Sequence, residues 1–156
     1  MRITYNKSLS EIFKPKSIQE INEDLHKLDM IKINNLIFEC ISHEKKDILK
    51  IFIELNFIDF TQIKYKGGWS FITHAACTNC LDILIDAGAN VNTVDTFGWT
   101  ALIRAAKWGC LDNVKLLINK GANINQRDND GLTALTHAIE HKQDEVIEYL
   151  KSKEAK

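Results

Sequence analysis

A repeat of 33 residues is the feature that most constrains how this chain folds. The motif Gly-Ala-Asn begins at Gly88 and again at Gly121, and the motif Gly-x-Thr-Ala-Leu begins at Gly98 and again at Gly131. Both pairs are separated by 33 residues. A fixed period of this length is typical of stacked supersecondary units that each contact only their neighbours. In such an array, function lies on the surface that the units share, so a binding face is expected before a catalytic cleft.

The composition fits one folded domain without the net positive charge that would attract a polyanion. The chain has 156 residues, of which 45% are hydrophobic and 26% are charged, and its formal net charge is −1. These proportions argue against disorder, and the balanced charge argues against a nucleic-acid partner. The N-terminus lacks the apolar core of a signal peptide and no apolar run is long enough to span a bilayer, so no membrane partner is expected. Four cysteines without framework spacing fit a reducing compartment, and the expected location is cytoplasmic.

Residues 98–125 contain the clearest unit and predict a helical hairpin. Thr100 can cap a first helix with its hydroxyl, and the alanine-rich stripe that follows permits close approach between helices. Apolar residues at helical spacing predict a second helix over about residues 111–119. Gly109 lies between the two helices and Gly121 lies after the second, where left-handed turns are common.

These residues resemble the ankyrin repeat, in which a β-turn finger precedes two antiparallel helices. The capping Thr, the paired alanines, the inter-helix Gly, the helix-ending Gly-Ala-Asn and a later Asn occur in the family's order, with the strongest match over residues 88–150. The resemblance implies an all-α fold, a small free-standing solenoid of about four helix-turn-helix repeats with β-turn fingers. It also implies that Asn92 and Asn125 connect consecutive fingers. The family's Pro and His are absent from the first helix, which predicts a loss of roughly 1 kcal/mol per weakened cap.

The predicted domains are an N-terminal helical cap over residues 1–35 and a repeat array over residues 36–156. The array divides at about residues 36–66, 67–96, 97–129 and 130–156. In the cap, Ser17 and Glu20 have the spacing of a capping box and apolar residues follow at helical intervals, so we expect a helix over residues 17–28.

Two of the four units depart from the pattern. The unit that starts at Gly68 is three residues shorter than its successor, and the gap is expected in the turn between its helices. The first unit is degenerate. Aligning Leu36 with Leu102 places Ile48 on Val114 and Ile51 on Leu117, and that register puts His43 and Leu55 where the glycines would be.

The resemblance also implies which positions face a partner, on the concave side and at the finger tips. The candidate residues are Lys64, Lys66, Trp69, Thr96, Phe97, Trp99, Lys107, Trp108, Arg127, Asn129, Leu132 and His141. Trp69, Trp99 and Leu132 share one slot in successive units, so they are expected to form an apolar ladder across the groove. Contiguous exposed apolar groups usually mark interaction sites, and Trp is prominent among residues that dominate binding. The alternative is that the indoles pack sideways on neighbouring fingers and only stiffen the stack.

The cysteines and histidines raise a second hypothesis. Cys77 and Cys80 form a CxxC pair downstream of His74, and Cys110 lies in the corresponding turn of the next unit. A redox role requires a thioredoxin-like setting, and a structural zinc site requires four ligands. Neither is expected in helical hairpins, so these thiols are expected to fill the shortened turn. No catalytic triad or phosphate loop is recognisable, and we predict no enzymatic activity, no cofactor and no metal site.

The sequence therefore predicts a non-catalytic protein–protein interaction module that acts as an adaptor, an inhibitor or an effector. An effector would be delivered into a host cell. The partner is expected to be another protein, and the chain alone is expected to be a monomer. The alternative is a metal- or thiol-dependent regulatory protein that uses Cys77, Cys80 and Cys110. A stabilising scaffold without a specific groove is the third hypothesis.

Overall fold

The computed structural model describes residues 12–14, 17–58, 68–153 and 155. Over these ranges it contains helices and turns, and no strand. The helices are α1 (Ile18–His26), α2 (Met30–Ser42), α3 (Lys46–Glu54), α4 (Phe71–His74), α5 (Leu81–Asp86), α6 (Ala101–Lys107), α7 (Leu111–Asn119), α8 (Ala134–Glu140) and α9 (Asp144–Ser152), and a 3₁₀ turn (Ala75–Cys77) extends α4. The predicted all-α solenoid is confirmed.

Successive hairpins stack through their first helices. Helix α6 packs against its partner α7, against α8 of the following hairpin and against α4 with its 3₁₀ turn in the preceding one. Ala101, Ala105 and Ala106 of α6 are fully buried at these contacts. Small side chains let helix axes approach closely, so the alanine stripe read from the sequence accounts for the tight stack.

Side chains of the fingers also join one repeat to the next. The Asn92 amide donates to the carbonyl of Gly121 at 3.3 Å, and the Asn92 side-chain oxygen accepts from the backbone N–H of Asn123 at 2.8 Å. The connecting role implied for Asn92 is therefore confirmed. The backbone N–H of Thr96 donates to the carbonyl of Gly68 at 3.2 Å, which joins the preceding pair of fingers.

The first hairpin follows a register one residue away from the one expected. Leu49 and Phe52 are fully buried in α3, whereas Ile48 and Ile51 are only half-buried. The alignment of Ile48 with Val114 and of Ile51 with Leu117 is therefore wrong. Nearly every position of α2 from Leu36 onward is apolar, so apolar spacing could not fix the register there.

The turns of the first hairpin have residues other than glycine at their left-handed positions, so glycine could not be used to align this hairpin. Glu44 has φ 53° and Asn56 has φ 56°, and these two residues adopt the left-handed conformation that Gly109 and Gly121 adopt in the third hairpin. The expectation that His43 and Leu55 stand in for the glycines is wrong by the same single residue. Lys142 takes the equivalent turn position in the last hairpin, with φ 55°.

Helix α1 begins with the capping box that the sequence predicts. The Ser17 hydroxyl accepts from the backbone N–H of Glu20 at 3.3 Å, and the Glu20 carboxylate accepts from the backbone N–H of Ser17 at 2.8 Å. Helix α2 then starts at Met30, after an N-cap at Asp29. The division into a cap over residues 1–35 and an array remains a prediction, and its boundary falls inside α2.

The shortened second hairpin contains a covalent link that the sequence did not suggest. Residues 78–80 separate the 3₁₀ turn from α5, just as residues 108–110 separate α6 from α7, but α5 has six residues where α7 has nine. The shortening therefore falls in the second helix, and the expectation that it lies in the turn between the helices is wrong. Cys77, the last residue of the 3₁₀ turn, forms a disulfide with Cys110, and their Cα atoms are 5.6 Å apart. The expectation of four unpaired thiols is wrong for these two residues. Cys40 and Cys80 are free and buried.

Candidate functional site

Aromatic rings and cations alternate along the stacked first helices. We call Trp69, Arg104, Trp99, Lys107 and Trp108 the aromatic–cation row. Arg104 and Lys107 lie one helical turn apart on α6, so both side chains project from the same face. The guanidinium carbon of Arg104 lies 4.3 Å from the centre of the Trp69 ring and 5.4 Å from that of Trp99. The ammonium of Lys107 lies 4.3 Å from the Trp99 ring and 5.8 Å from the Trp108 ring. Cations at these distances attract the ring faces electrostatically.

The second and third repeats are therefore joined by the Arg104 cation, which lies between two indoles. The sequence predicted a purely apolar ladder at this place. Trp69 and Trp99 precede the N-caps of α4 and α6, and both rings are half-buried. Leu132 is half-buried in the corresponding slot of the fourth repeat. Sequence reasoning missed Arg104, although its position 33 residues before His137 was an available signal.

In the fingers of the third and fourth repeats, an aspartate holds the residue that precedes the helix N-cap in place. Asp95 accepts from the backbone N–H groups of Phe97 and Trp99, each at 2.9 Å, and its second oxygen lies 3.3 Å from Nη2 of Arg104. The Asp95 side chain is fully buried and that of Arg104 is 11% exposed. This ion pair is therefore shielded from solvent and fixes the guanidinium that lies between the indoles.

Asp128 holds the finger of the fourth repeat in the same way, but it pairs with a different side chain. It accepts from the backbone N–H groups of Asp130 and Leu132 at 3.0 and 2.9 Å. Its other oxygen lies 2.6 Å from Nε2 of His137 and accepts from the Trp99 indole N–H at 3.1 Å. Trp99 thus bonds to the next finger, as the sideways-packing alternative requires, while the same ring also contacts both cations of the row.

Burial and neighbouring charge alter the titration of two groups beside the row. Burial, with a smaller contribution from Arg104, lowers the pKa of His74, whose ring stacks on Trp69 at 5.5 Å. Burial would raise the pKa of Asp128, but the hydrogen bond from His137 and the bonds from two backbone N–H groups outweigh it and lower that pKa. The imidazole of His74 is therefore neutral at neutral pH, and the carboxylate of Asp128 is ionised.

The exposed end of the row contains the candidate contacts that are most accessible. Trp108 is 60% exposed and lies 6.3 Å from His141, which is also exposed. Phe97 is 55% exposed at a finger tip, and its ring lies 6.1 Å from that of Trp99. Among the described residues, Lys107 forms no ion pair with a carboxylate. Its positive charge is therefore not neutralised within this part of the chain.

The remaining predicted contacts are used in part within the fingers. Arg127 donates from Nη1 to the carbonyl of Gly131 at 2.6 Å, so its side chain turns back onto its own finger. Asn129 donates from its amide to the carbonyl of Thr96 at 3.0 Å, which connects two finger tips. Lys64 and Lys66 lie outside the described residues.

None of the helices in the described part of the chain has the length and the apolar character needed to cross a membrane.

The cysteine hypothesis changes once Cys77 and Cys110 are paired. A sulfur in a disulfide is no longer a thiolate, so neither residue can ligate zinc in this state. Burial raises the pKa of the Cys80 thiol. The CxxC pair is consequently neither a redox pair nor half of a zinc site in this structure.

Comparison with known proteins identifies the repeat. A family model described as ankyrin repeats (3 copies) matches residues 36–128 and, in a second overlapping match, residues 72–156. A comparison with curated proteins found no match.

Proposed function

Because the chain belongs to the ankyrin repeat family, we propose that it is a non-catalytic module that binds another protein through its concave groove and finger tips. Repeats of this family are generally protein–protein interaction modules and are typically not enzymes. The finer proposal is that the chain acts stoichiometrically, as an adaptor, an inhibitor or an effector. A protein partner is favoured over nucleic acid because the formal net charge of −1 supplies no attraction for a polyanion.

One observation carries this proposal, namely the exposed end of the aromatic–cation row. Trp108 and Phe97 are both more than half exposed, and Lys107 lies between the rings of Trp99 and Trp108. Large aromatic side chains are enriched among the residues that dominate interfaces, and an un-neutralised cation beside them favours a partner of opposite charge. We therefore propose that the partner presents an acidic segment with an apolar or aromatic anchor.

The experiment changes the exposed Trp108 and the half-buried Lys107, and thermal unfolding of each variant separates a loss of binding from a loss of fold. We propose Trp108→Ala and Lys107→Glu as test variants and Ile31→Ala as the control, because Ile31 is 74% exposed and lies in α2. Each variant is used to capture partners from a native lysate, and the captured proteins are quantified by mass spectrometry. We expect a protein that the wild type and Ile31→Ala recover equally, and that both test variants recover at least tenfold less. Equal recovery by all four proteins would contradict the proposal.

The Trp69 and Trp99 pair requires separate treatment because both rings are half-buried. Trp99→Phe removes the indole N–H that donates to Asp128 but keeps an aromatic face beside Lys107. If the ring is a binding contact, this variant should bind the captured partner with little change. A large loss of binding with an unchanged unfolding transition would instead show that the hydrogen bond from the indole N–H to Asp128 positions the binding surface.

A second candidate function is supported by the Cys77–Cys110 disulfide. It joins the second hairpin to the third, the two repeats that supply Trp69 and Trp99. Two equivalents of a small thiol would break the S–S bond, giving two protein thiols and one small-molecule disulfide. We propose that this exchange changes how firmly the two repeats are held together, and thereby changes affinity for the partner. Cys80 has no part in this version, because it is buried and unpaired.

The thiol proposal is tested by comparing redox states of one protein with a variant that has no disulfide. Thermal unfolding and partner capture are measured for the wild type with and without a phosphine reductant. The same measurements are made on Cys77→Ser/Cys110→Ser. Reductant should lower the unfolding temperature of the wild type to that of the double variant and leave the double variant unchanged. If reductant changes neither the stability nor the binding of the wild type, the disulfide has no regulatory role.

A further inference from the structure

We propose that His137, Glu140 and His141 form a binding site for one divalent transition-metal ion, of which zinc is the best match. One nitrogen of each imidazole and one carboxylate oxygen of Glu140 lie within 4.8 Å of one another. Residues three and four apart on a helix lie on the same face, and these three residues span the C-terminal end of α8. The spacing therefore places three ligand atoms around one point without any change in the backbone.

The hydrogen bonding of His137 leaves one ring nitrogen in the state that a metal needs. Nε2 of His137 lies 2.6 Å from a carboxylate oxygen of Asp128, and an ionised carboxylate only accepts. In a neutral ring the proton is therefore on Nε2, and Nδ1 carries a lone pair. Nδ1 is buried and has no hydrogen-bond partner in the described part of the chain, and the whole residue is only 4% exposed.

A buried acceptor without a donor is uncommon and requires an explanation. Metal-binding histidines usually donate the other ring N–H to a carboxylate, which fixes the tautomer and raises the basicity of the ligand nitrogen. Asp128 and His137 have this arrangement, and Asp128 is itself held by the backbone N–H groups of Asp130 and Leu132. The outer carboxylate of a metal site is thus already in place.

The other two ligands give an ion access from solvent. Glu140 and His141 are both exposed. Nδ1 of His141 lies 3.0 Å from the carbonyl oxygen of His137, which can only accept, so Nδ1 carries the proton and Nε2 keeps its lone pair. The C-terminal end of a helix also carries partial negative charge, which favours a cation.

The donor set selects the kind of metal. Two imidazoles with one carboxylate are a common zinc set that leaves a fourth coordination position open. Magnesium and calcium prefer oxygen ligands throughout, so they fit poorly. The site adjoins the aromatic–cation row, since the His137 ring lies 5.2 Å from Trp99 and the His141 ring lies 6.3 Å from Trp108. A bound ion would therefore lie beside the surface that we propose for partner binding.

The chain offers a matched control for the test. His43 is the C-cap of α2 with φ −99° and ψ 12°, and His141 is the C-cap of α8 with φ −99° and ψ 9°. Both are exposed histidines at equivalent turns, but Glu39 stands four residues before His43, where His137 stands before His141. The change His43→Ala removes a surface histidine without touching the proposed site.

Zinc binding to the full metal-free chain is measured by isothermal titration calorimetry, with magnesium as the comparison ion. We expect one zinc ion per chain for the wild type and for His43→Ala, and no saturable binding of magnesium. His141→Ala and Glu140→Gln should each weaken zinc binding about ten- to hundredfold. Because both residues are exposed, the unfolding transition of each metal-free variant should match that of the wild type.

A second measurement follows His137, whose substitution could disturb the fold. Zinc should shift the ring nitrogen resonances of His137 and His141 in the nitrogen-15 NMR spectrum of the wild type and leave those of His43 unchanged. The proposal is overturned if the wild type shows no saturable zinc binding. It is also overturned if His43→Ala loses as much affinity as His141→Ala, or if the His137 resonances do not move.

Discussion

The third and fourth repeats place an aspartate at the same point of the finger but pair it with different chemistry. Asp95 pairs with Arg104, and Asp128 pairs with His137, at equivalent positions along α6 and α8. Both aspartates accept from two backbone N–H groups of their own finger. The framework is therefore constant, and the side chain that it holds decides what the repeat can do.

The difference in partner changes both reach and charge. Arg104 is long enough to place its guanidinium cation against the rings of Trp69 and Trp99 in two repeats. His137 is shorter and contacts Asp128 and Trp99, with one ring nitrogen left unpaired. The third repeat is consequently suited to an aromatic and cationic binding surface, and the fourth to coordination chemistry.

Removing each aspartate gives the largest expected effect and tests whether the two pairs differ in energy. Asp95→Ala leaves a nearly buried guanidinium without its partner, which is expected to cost about 3–5 kcal/mol of unfolding free energy. Asp128→Ala leaves two backbone N–H groups and the donors of His137 and Trp99 unpaired, each of which costs about 1–3 kcal/mol in the absence of compensation by water, so its loss is expected to be of similar size. Urea unfolding at pH 7 measures both losses. A loss below about 1 kcal/mol for either variant would show that its aspartate does not hold the finger.

Converting the third repeat to the chemistry of the fourth is the next largest change. Arg104→His removes the cation that lies between Trp69 and Trp99, with an expected loss of about 1–2 kcal/mol at pH 8. A histidine beside Asp95 should have a raised pKa in the folded state, so the stability it adds is present below its unfolded pKa and is lost as pH rises. The loss relative to wild type should therefore be smaller at pH 5 than at pH 8. A loss that is equal at the two pH values would contradict the analogy between the pairs.

The acid sensitivity of the fourth repeat gives a smaller effect. The pKa of Asp128 is lowered in the folded state, because the hydrogen bonds from His137 and two backbone N–H groups outweigh its burial. A carboxyl group with a lowered pKa adds stability above its unfolded pKa, and that stability is lost as pH falls through the folded value. As pH falls below about 4, the unfolding free energy of the wild type should therefore decrease more steeply than that of Asp128→Asn. Parallel curves for the two proteins would exclude this contribution.

The fold could be predicted from the third and fourth repeats because their signals are local. A capping Thr, buried alanines and turn glycines each specify one feature of the hairpin, and they recur at one period. The first repeat lacks these markers. Glu44 and Asn56 adopt positive φ without being glycine, and the second half of α2 is too rich in apolar residues to fix a register, so the alignment was displaced by one residue.

The candidate site was less predictable because it depends on contacts between repeats. The resemblance pointed to exposed tryptophans, but it gave no reason to place Arg104 between two of them. The disulfide was missed although Cys77 and Cys110 were placed in corresponding turns, because four cysteines without framework spacing were interpreted as unpaired thiols of a reducing compartment. The histidine cluster was missed because the ring nitrogen left free on His137 depends on Asp128, nine residues away in the chain.

The smallest expected effect concerns the turn between the two helices, which has equivalent geometry in the third and fourth repeats. Gly109 has φ 72° and Lys142 has φ 55° at equivalent positions, so lysine occupies a backbone conformation that costs an L-residue about 1–2 kcal/mol relative to glycine. Replacing lysine with glycine relieves this cost but also makes the unfolded chain more flexible, which offsets about half of the gain in stability. Lys142→Gly is therefore expected to raise the unfolding free energy by at most about 1 kcal/mol, and Gly109→Ala to lower it by a similar amount. The added Cβ of Gly109→Ala would meet only the end of the Gln143 side chain, which can move aside, so the backbone conformation sets the loss. If urea unfolding shows that Lys142→Gly is less stable than wild type, the lysine stem contributes packing that the glycine in the third repeat does not need, and the two turns are equivalent in geometry alone.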